Sequence, residues 1–200
     1  QRGERRWYND LWQEDHSKAA QWSFLSNTPN PYITTKIREL KRSGVQGPFL
    51  DLGCGNGRHA LAFAKEGFAA TGVDYASNSI LHARRIAKQQ NVKAKFYVGD
   101  VLGKNISRYR IVLDFALFTH LRKYEWQDYF FTLQTLSAGS RYILVCFSTR
   151  STFIPGFSPR GSPQTAITAV QSSSIHSSHQ ASTRASKHSS LWTPTRSTCW

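Results

Sequence analysis

Apolar positions along the chain fall into two regimes. Up to residue 43 they recur at helical spacing. Trp7, Tyr8, Leu11 and Trp12 share one helix face, and Ile33, Ile37 and Leu40 follow at i, i+4 and i+7, with Lys36, Arg38 and Lys41 opposite. The run Asn27-Thr28-Pro29-Asn30-Pro31 separates these helices, and Gly44 and Gly47-Pro48 end the second. From Pro48 short apolar runs alternate with amphipathic stretches. Strands are predicted at 49–52, 69–73, 94–98, 111–113 and 141–147, and helices at 60–66, 79–90 and 124–136. Such alternation predicts an α/β domain with a doubly wound, mostly parallel sheet and helices on both faces.

After Arg150 the pattern stops. Ser and Thr supply 20 of the last 50 residues, and the apolar residues keep no sustained period. A segment of that kind buries too little surface to offset its ordering entropy. The chain therefore divides into a helical cap or lid (1–44), an α/β core (45–150) and a disordered or frameshifted tail (151–200). The sheet is expected to be incomplete after its fifth strand, although 153–160 still reads as a continuation of the core.

Composition sharpens that division. The net charge of +14 is built unevenly: residues 1–150 hold 22 basic and 12 acidic residues, a net of +10, and the tail adds four bases and no acid. The total thus overstates the case for a nucleic-acid partner. No run of about 18 apolar residues exists, so no membrane-spanning helix is expected. The N-terminus lacks an apolar core of signal-peptide type, which argues against secretion by that route. Cys54, Cys146 and Cys199 are odd in number and far apart, which suggests neither a disulfide framework nor a zinc site and fits a reducing, cytoplasmic setting. The absence of Met and the opening Gln1 read as a fragment of a gene product.

The chemistry concentrates after the first strand, in Phe49-Leu-Asp-Leu-Gly-Cys-Gly-Asn-Gly-Arg58. Gly53, Gly55 and Gly57 let the backbone turn tightly and a ligand lie against it. Arg58 holds the place of the last glycine of the dinucleotide fingerprint, so that motif is not formed. Three acids sit where open α/β sheets bind ligands, at or near the carboxyl ends of strands. Asp74 follows the second strand and can accept both hydroxyls of a ribose. Asp100 follows the third and can meet an adenine amino group. Asp51 precedes the glycines and can meet an ammonium group.

The segment LDLGCGNGRHALAFAKEGFAATGVDYASNSI resembles the first two motifs of the class I S-adenosylmethionine (SAM)-dependent methyltransferases. Among these it is most similar to small-molecule enzymes of the tellurite-resistance and thiopurine methyltransferase type. The resemblance covers residues 45–148 and implies a Rossmann-like fold with SAM as cofactor. It implies that Asp51, Gly53, Cys54, Gly55, Asn56 and Gly57 line the methionine and ribose part. Asp74 would bind the ribose hydroxyls, with Tyr75 and Ala76 beside it, and Asp100 and Val101 would frame the adenine. Asp114, Phe115 and Ala116 match the segment near the transferred methyl. Arg110 departs from the family, whose members usually carry an acid there. The family's sheet continues past strand five with a helix and a closing hairpin, for which the tail has the wrong composition.

Methyl transfer from a sulfonium is an in-line displacement, so the protein chiefly positions the acceptor and excludes water. An acceptor of high pKa needs a base, and His120 is the candidate by position. His59 and His82 read as helix or surface positions. Cys54 reads as a small residue that fits its turn, and Cys146 as core. Neither cysteine follows a proline, so the Pro-Cys signature of cytosine-C5 enzymes is missing, and Asp114-Phe-Ala-Leu differs from the Asn/Asp-Pro-Pro-Tyr signature of amino-methylating DNA enzymes. Trp7, Tyr8, Trp12 and Trp22 are candidates for a lid, or for packing on the sheet edge. Three functions compete: a SAM-dependent methyltransferase for a small molecule, one directed at RNA or DNA, and a non-catalytic remnant that binds SAM at most.

Overall fold

The computed structural model describes residues 2–12, 26–147 and 165–171. Helix α1 (Arg2–Leu11) and α2 (Pro31–Arg42) precede β1 (Phe49–Leu52), α3 (Arg58–Lys65), β2 (Ala70–Asp74), α4 (Ser77–Gln89) and β3 (Lys95–Val98). Then come β4 (Ile111–Phe115), the short α5 (Leu117–His120), a 3-10 turn (Lys123–Glu125), α6 (Trp126–Gln134), β5 (Arg141–Phe147) and β6 (Thr165–Gln171). The strand order is β3-β2-β1-β4-β5-β6; the first five are parallel and β6 is antiparallel to β5.

Local chemistry explains the boundaries. The Asn30 side chain accepts from Tyr32 N at 2.9 Å, Pro31 opens α2, and Lys41 and Arg42 favour its last turn. Gly57, at φ 75°, turns the chain from β1 into α3. A Cβ there would sit 2.5 Å from the Phe96 ring, so glycine is required for space as well as conformation.

Two apolar layers hold the sheet. On one face Ile33 and Ile37 of α2, Phe63 of α3 and Ile80 and Ala83 of α4 pack on Phe49, Ile111 and Leu113, with Phe49 and Phe63 stacked at 3.6 Å. On the other, Leu50, Leu52 and Val112 meet Ile106, Tyr109 and Leu136. Fully burying a side chain of this kind contributes roughly 1.5–3 kcal/mol. Burial on both faces is why β1 reads as a continuous apolar run interrupted only by Asp51.

Two expectations are corrected. The sheet does not stop at β5, because β6 lies inside the tail, where composition predicts no strand. Thr165, Ile167, Thr168 and Val170 are β-branched, which suits a strand and outweighs the segment's overall Ser/Thr bias. Cys146 is disulfide-bonded, which the cysteine spacing does not suggest, whereas Cys54 is a free, buried thiol. Trp22 and residues 151–164 and 172–200 lie outside the described residues. Among the described residues no helix is long and apolar enough to cross a membrane.

Candidate functional site

The carboxyl ends of β1, β2 and β4 bring three acids to one edge of the sheet. Asp51 pairs across to Gly72 and Leu113, and Asp114 pairs with Leu52, one position further along. Asp74 ends β2 opposite Val98. The turn after β1 is pinned from below, since Gly53 N and Cys54 N both donate to Val73 O, at 2.8 and 3.1 Å. Gly53, Gly55 and Gly57 all adopt positive φ. This leaves an open ledge of backbone facing Leu117 at Gly53 and the Trp12 indole at Gly55.

Asp51 is the unusual group. It is 1 % exposed, and neither carboxyl oxygen has a hydrogen-bond partner. Burial raises its pKa to about 8; the nearby Ala60 N–H and Arg58 guanidinium oppose the rise, and Asp114 and Asp74 add to it. A carboxylate left so incompletely compensated is costly unless a cation completes it.

Asp74 is held differently. Its two oxygens accept from Gly55 N at 2.9 Å and Ala76 N at 2.8 Å. Burial raises its pKa, and those amides and Ser79 oppose the rise. A carboxylate offers about four lone-pair sites, so each oxygen can accept again. Tyr75 and Ala76 stand beside it, Ala76 being buried against Trp12.

Asp114 is fully buried and accepts from Tyr129 Oη at 2.5 Å and from Phe118 N at 3.1 Å. Tyr129 Oη in turn bonds the Tyr142 hydroxyl. Burial raises the Asp114 pKa to about 7, against the Tyr129 hydroxyl and the Phe118 and Leu117 amides. Asp114 thereby caps α5, which starts after Ala116 in a left-handed conformation at φ 71°. Such strain at a non-glycine residue tends to accompany function. Tyr129 and Tyr142 carry no signal in the sequence, because they come from α6 and β5 and meet only in the fold.

The remaining candidates fall at varied distances from the acids. Asn56 Nδ2 donates to Ser26 O and Asn27 Oδ1 at 3.1 and 3.0 Å, tying the glycine turn to the entry of α2. Asp100 Oδ1 accepts from Leu102 N at 3.0 Å, and Val101 turns its side chain into the core with Leu50 and Val112. The Cys54 thiol is buried, which pushes its pKa well up and leaves a poor nucleophile. Phe115 packs between Arg58, 5.5 Å from its centroid, and the His59 ring at 4.4 Å.

His120 is exposed at the end of α5, and its Nδ1 lies 3.1 Å from Tyr8 Oη. Tyr8 packs edge-on against Tyr75 at 5.8 Å, and Trp12 is tilted against His82 at 5.7 Å. Aromatic residues of α1 therefore lie against the loops that carry the acids. His59 is on a helix, as its sequence context predicts, but on the buried side. Its Nε2 accepts from Asn30 N at 3.3 Å, and burial with Arg58 nearby holds its pKa well below the usual range. Arg58 in the sixth position of the turn is the one sequence signal that a charged side chain meets the site.

Comparison with known proteins agrees with this edge as the site of interest. Residues 49–136 match the family model described as a methyltransferase domain. The chain is 33% identical over 94 residues to an ATP synthase lysine N-methyltransferase of Xenopus laevis, covering 44% of this chain and 40% of that one. It is 35% identical over 74 residues to a ubiquinone biosynthesis O-methyltransferase of Coxiella burnetii (strain Dugway 5J108-111), covering 36% and 32%. A solved structure from work on conversion of a disulfide bond into a thioacetal group in echinomycin biosynthesis superposes with a TM-score of 0.61 at 26% identity, covering 73% of this chain and 61% of that chain. The chain spans from a third to a little over half of the length of the curated relatives it matches first.

Proposed function

This chain carries a class I SAM-dependent methyltransferase domain, and we propose that it binds SAM along the carboxyl edge of the sheet for methyl transfer to a small-molecule acceptor. The carrying observation is Asp51, buried with both oxygens unpartnered beneath the glycine ledge. The residues fit the cofactor. Asp51 takes the ammonium of the methionine part, the Gly53–Gly57 ledge lies against the chain behind it, and Asp74 accepts the ribose hydroxyls with the lone pairs left by Gly55 N and Ala76 N. Asp100 and Val101 flank the adenine. Bound SAM supplies an electrophilic methyl group.

The protein's own contribution is positioning and exclusion of water. Trp12 covers Gly55, and Tyr8 reaches both Tyr75 and His120, so α1 acts as a lid over the ledge. Asp114 fixes the start of α5 through Phe118 N and so positions Leu117 over Gly53. His120, at the other end of α5, takes the proton from an acceptor of high pKa. The ubiquinone biosynthesis O-methyltransferase among the relatives, and the structural likeness to the echinomycin biosynthesis protein, support a small acceptor.

Calorimetric titration with SAM and its demethylated product tests the cofactor reading; absence of heat at millimolar ligand rejects it. Product release from SAM is then followed with a panel of phenols, thiols and amines beside a lysine-containing peptide. Turnover of the peptide alone would replace the small acceptor with a protein one.

A further inference from the structure

The outer edge of the sheet gathers charge that the sequence shows only as a scatter. β3 is the terminal strand, and Lys95, Tyr97 and Val98 of its four residues are exposed. α4 packs beside it and exposes Leu81, Arg84, Arg85 and Lys88, and Lys93 in the connection is exposed as well. From residue 75 to residue 99 the chain holds five basic residues and no acid. Among the described residues none of the five makes an ion pair. Arg84 is fixed in place, its Nε and Nη2 both donating to Phe96 O at 3.2 and 2.6 Å.

Lysine on an edge strand commonly guards against strand pairing between molecules. That accounts for Lys95 but not for its neighbours. Tyr97 is 48% exposed and Val98 51%, an aromatic and an apolar side chain offered to solvent on the same edge. Cations flanking an exposed aromatic ring are the composition of a surface that tracks a nucleic-acid strand, with phosphates on the cations and a base on the ring.

We propose that the α4–β3 edge binds the phosphate backbone of a single-stranded nucleic acid, with Tyr97 as a stacking platform. This surface is separate from the acids at the carboxyl ends, so the inference stands or falls independently of the cofactor reading. Arg85, Lys88, Lys93 and Lys95 supply the phosphate contacts, and Arg84 holds β3 against α4.

Fluorescence anisotropy of the full chain with a labelled RNA of mixed sequence, about 20 nucleotides long, tests it between about 50 and 200 mM salt. Four phosphate contacts give a slope of log affinity on log salt near −3. The triple variant Arg85→Glu/Lys88→Glu/Lys95→Glu is expected to bind at least about tenfold more weakly, with the slope reduced by about 2. A control of equal charge change on α2 and α3, Arg38→Glu/Arg42→Glu/Lys65→Glu, keeps both within about twofold. Tyr97→Ala weakens binding and leaves the slope unchanged. Single Lys95→Ala, which removes one charge from an exposed position, reduces the slope by about 1 and covers the case of a triple variant that does not fold. Equal losses in the two triples mean diffuse attraction and overturn the proposal. So does absence of RNA binding at about 50 mM salt, or retention on phosphatidylserine vesicles without retention of RNA.

Discussion

Replacing Asp51 by asparagine separates the cost of an unpartnered carboxyl from its use. In the free protein its pKa stands near 8 against an ordinary 3.8, with burial as the first cause. Four units at about 1.4 kcal/mol each bound the cost of ionising it in the folded state at roughly 6 kcal/mol. The folded protein holds this proton more tightly than the unfolded chain, so the penalty is absent below about pH 4 and grows as pH rises to 8. The Asp51→Asn variant lacks that slope. Its new amide is buried without ready partners, which costs about 1–3 kcal/mol, so at pH 8 the variant is expected to be more stable than the parent by a few kcal/mol. At pH 4 the order reverses.

Cofactor binding carries the opposite sign. An ammonium beside Asp51 favours the carboxylate, so binding releases a proton wherever the free carboxyl is protonated. Affinity then rises by up to about tenfold per pH unit between 6 and 8. The ligand's own α-amino group loses its charge in the same range as Asp51, near 8, and weakens binding above it. Asp51→Asn isolates that second effect: the variant binds SAM about 1.5–3 kcal/mol more weakly at pH 8, and the gap closes by pH 6. Arg58 from α3, Asp74 from β2 and Asp114 from β4 face the same space and stay constant in the comparison. Calorimetry in buffers of different ionisation enthalpy counts the protons directly. An affinity independent of pH from 6 to 8 in the parent, or the same proton release in the variant, refutes the reasoning.

The other predictions follow from single geometries. Asp74→Ala removes the partners of Gly55 N and Ala76 N as well as the ribose acceptor, and should weaken SAM binding by about 2–4 kcal/mol in the same titration. Gly57→Ala places a Cβ 2.5 Å from Phe96 at a positive φ, and urea denaturation should show a loss of at least about 2 kcal/mol. Ala116→Gly relieves the left-handed strain at φ 71° and should stabilise the fold by about 1 kcal/mol in the same assay. Tyr129→Phe strands Asp114 and the Tyr142 hydroxyl, and should cost about 1–3 kcal/mol with the Asp114 carboxyl titrating higher still.

What the sequence can disclose follows from the range of the interactions involved. β1, β2 and β5 are legible because strands buried on both faces need uninterrupted apolar runs, and the glycine turn is legible because its positive φ values select a residue type. Asp51, Asp74 and Asp114 are legible by position, at the ends of those runs. The α5 turn is not, since four residues leave no period to read and its cap is Asp114 from the preceding strand. His59 cannot be told from a surface histidine, because its burial depends on Asn30 and Phe115, which reach it from other elements.

The same reasoning bears on the charge. Counted along the chain, the bases of the α4–β3 segment look like part of a general excess, because sequence shows neither which strand lies at the edge nor which side chains face out. Strand order decides both. Placing β3 outermost turns Lys95, Tyr97 and Val98 from members of a buried-looking run into one exposed row beside Arg85 and Lys88. A charge spread evenly over the surface would raise nucleic-acid affinity without regard to which bases are reversed. A row fixed by topology makes the loss depend on position, and that dependence is the quantity the paired triple variants measure.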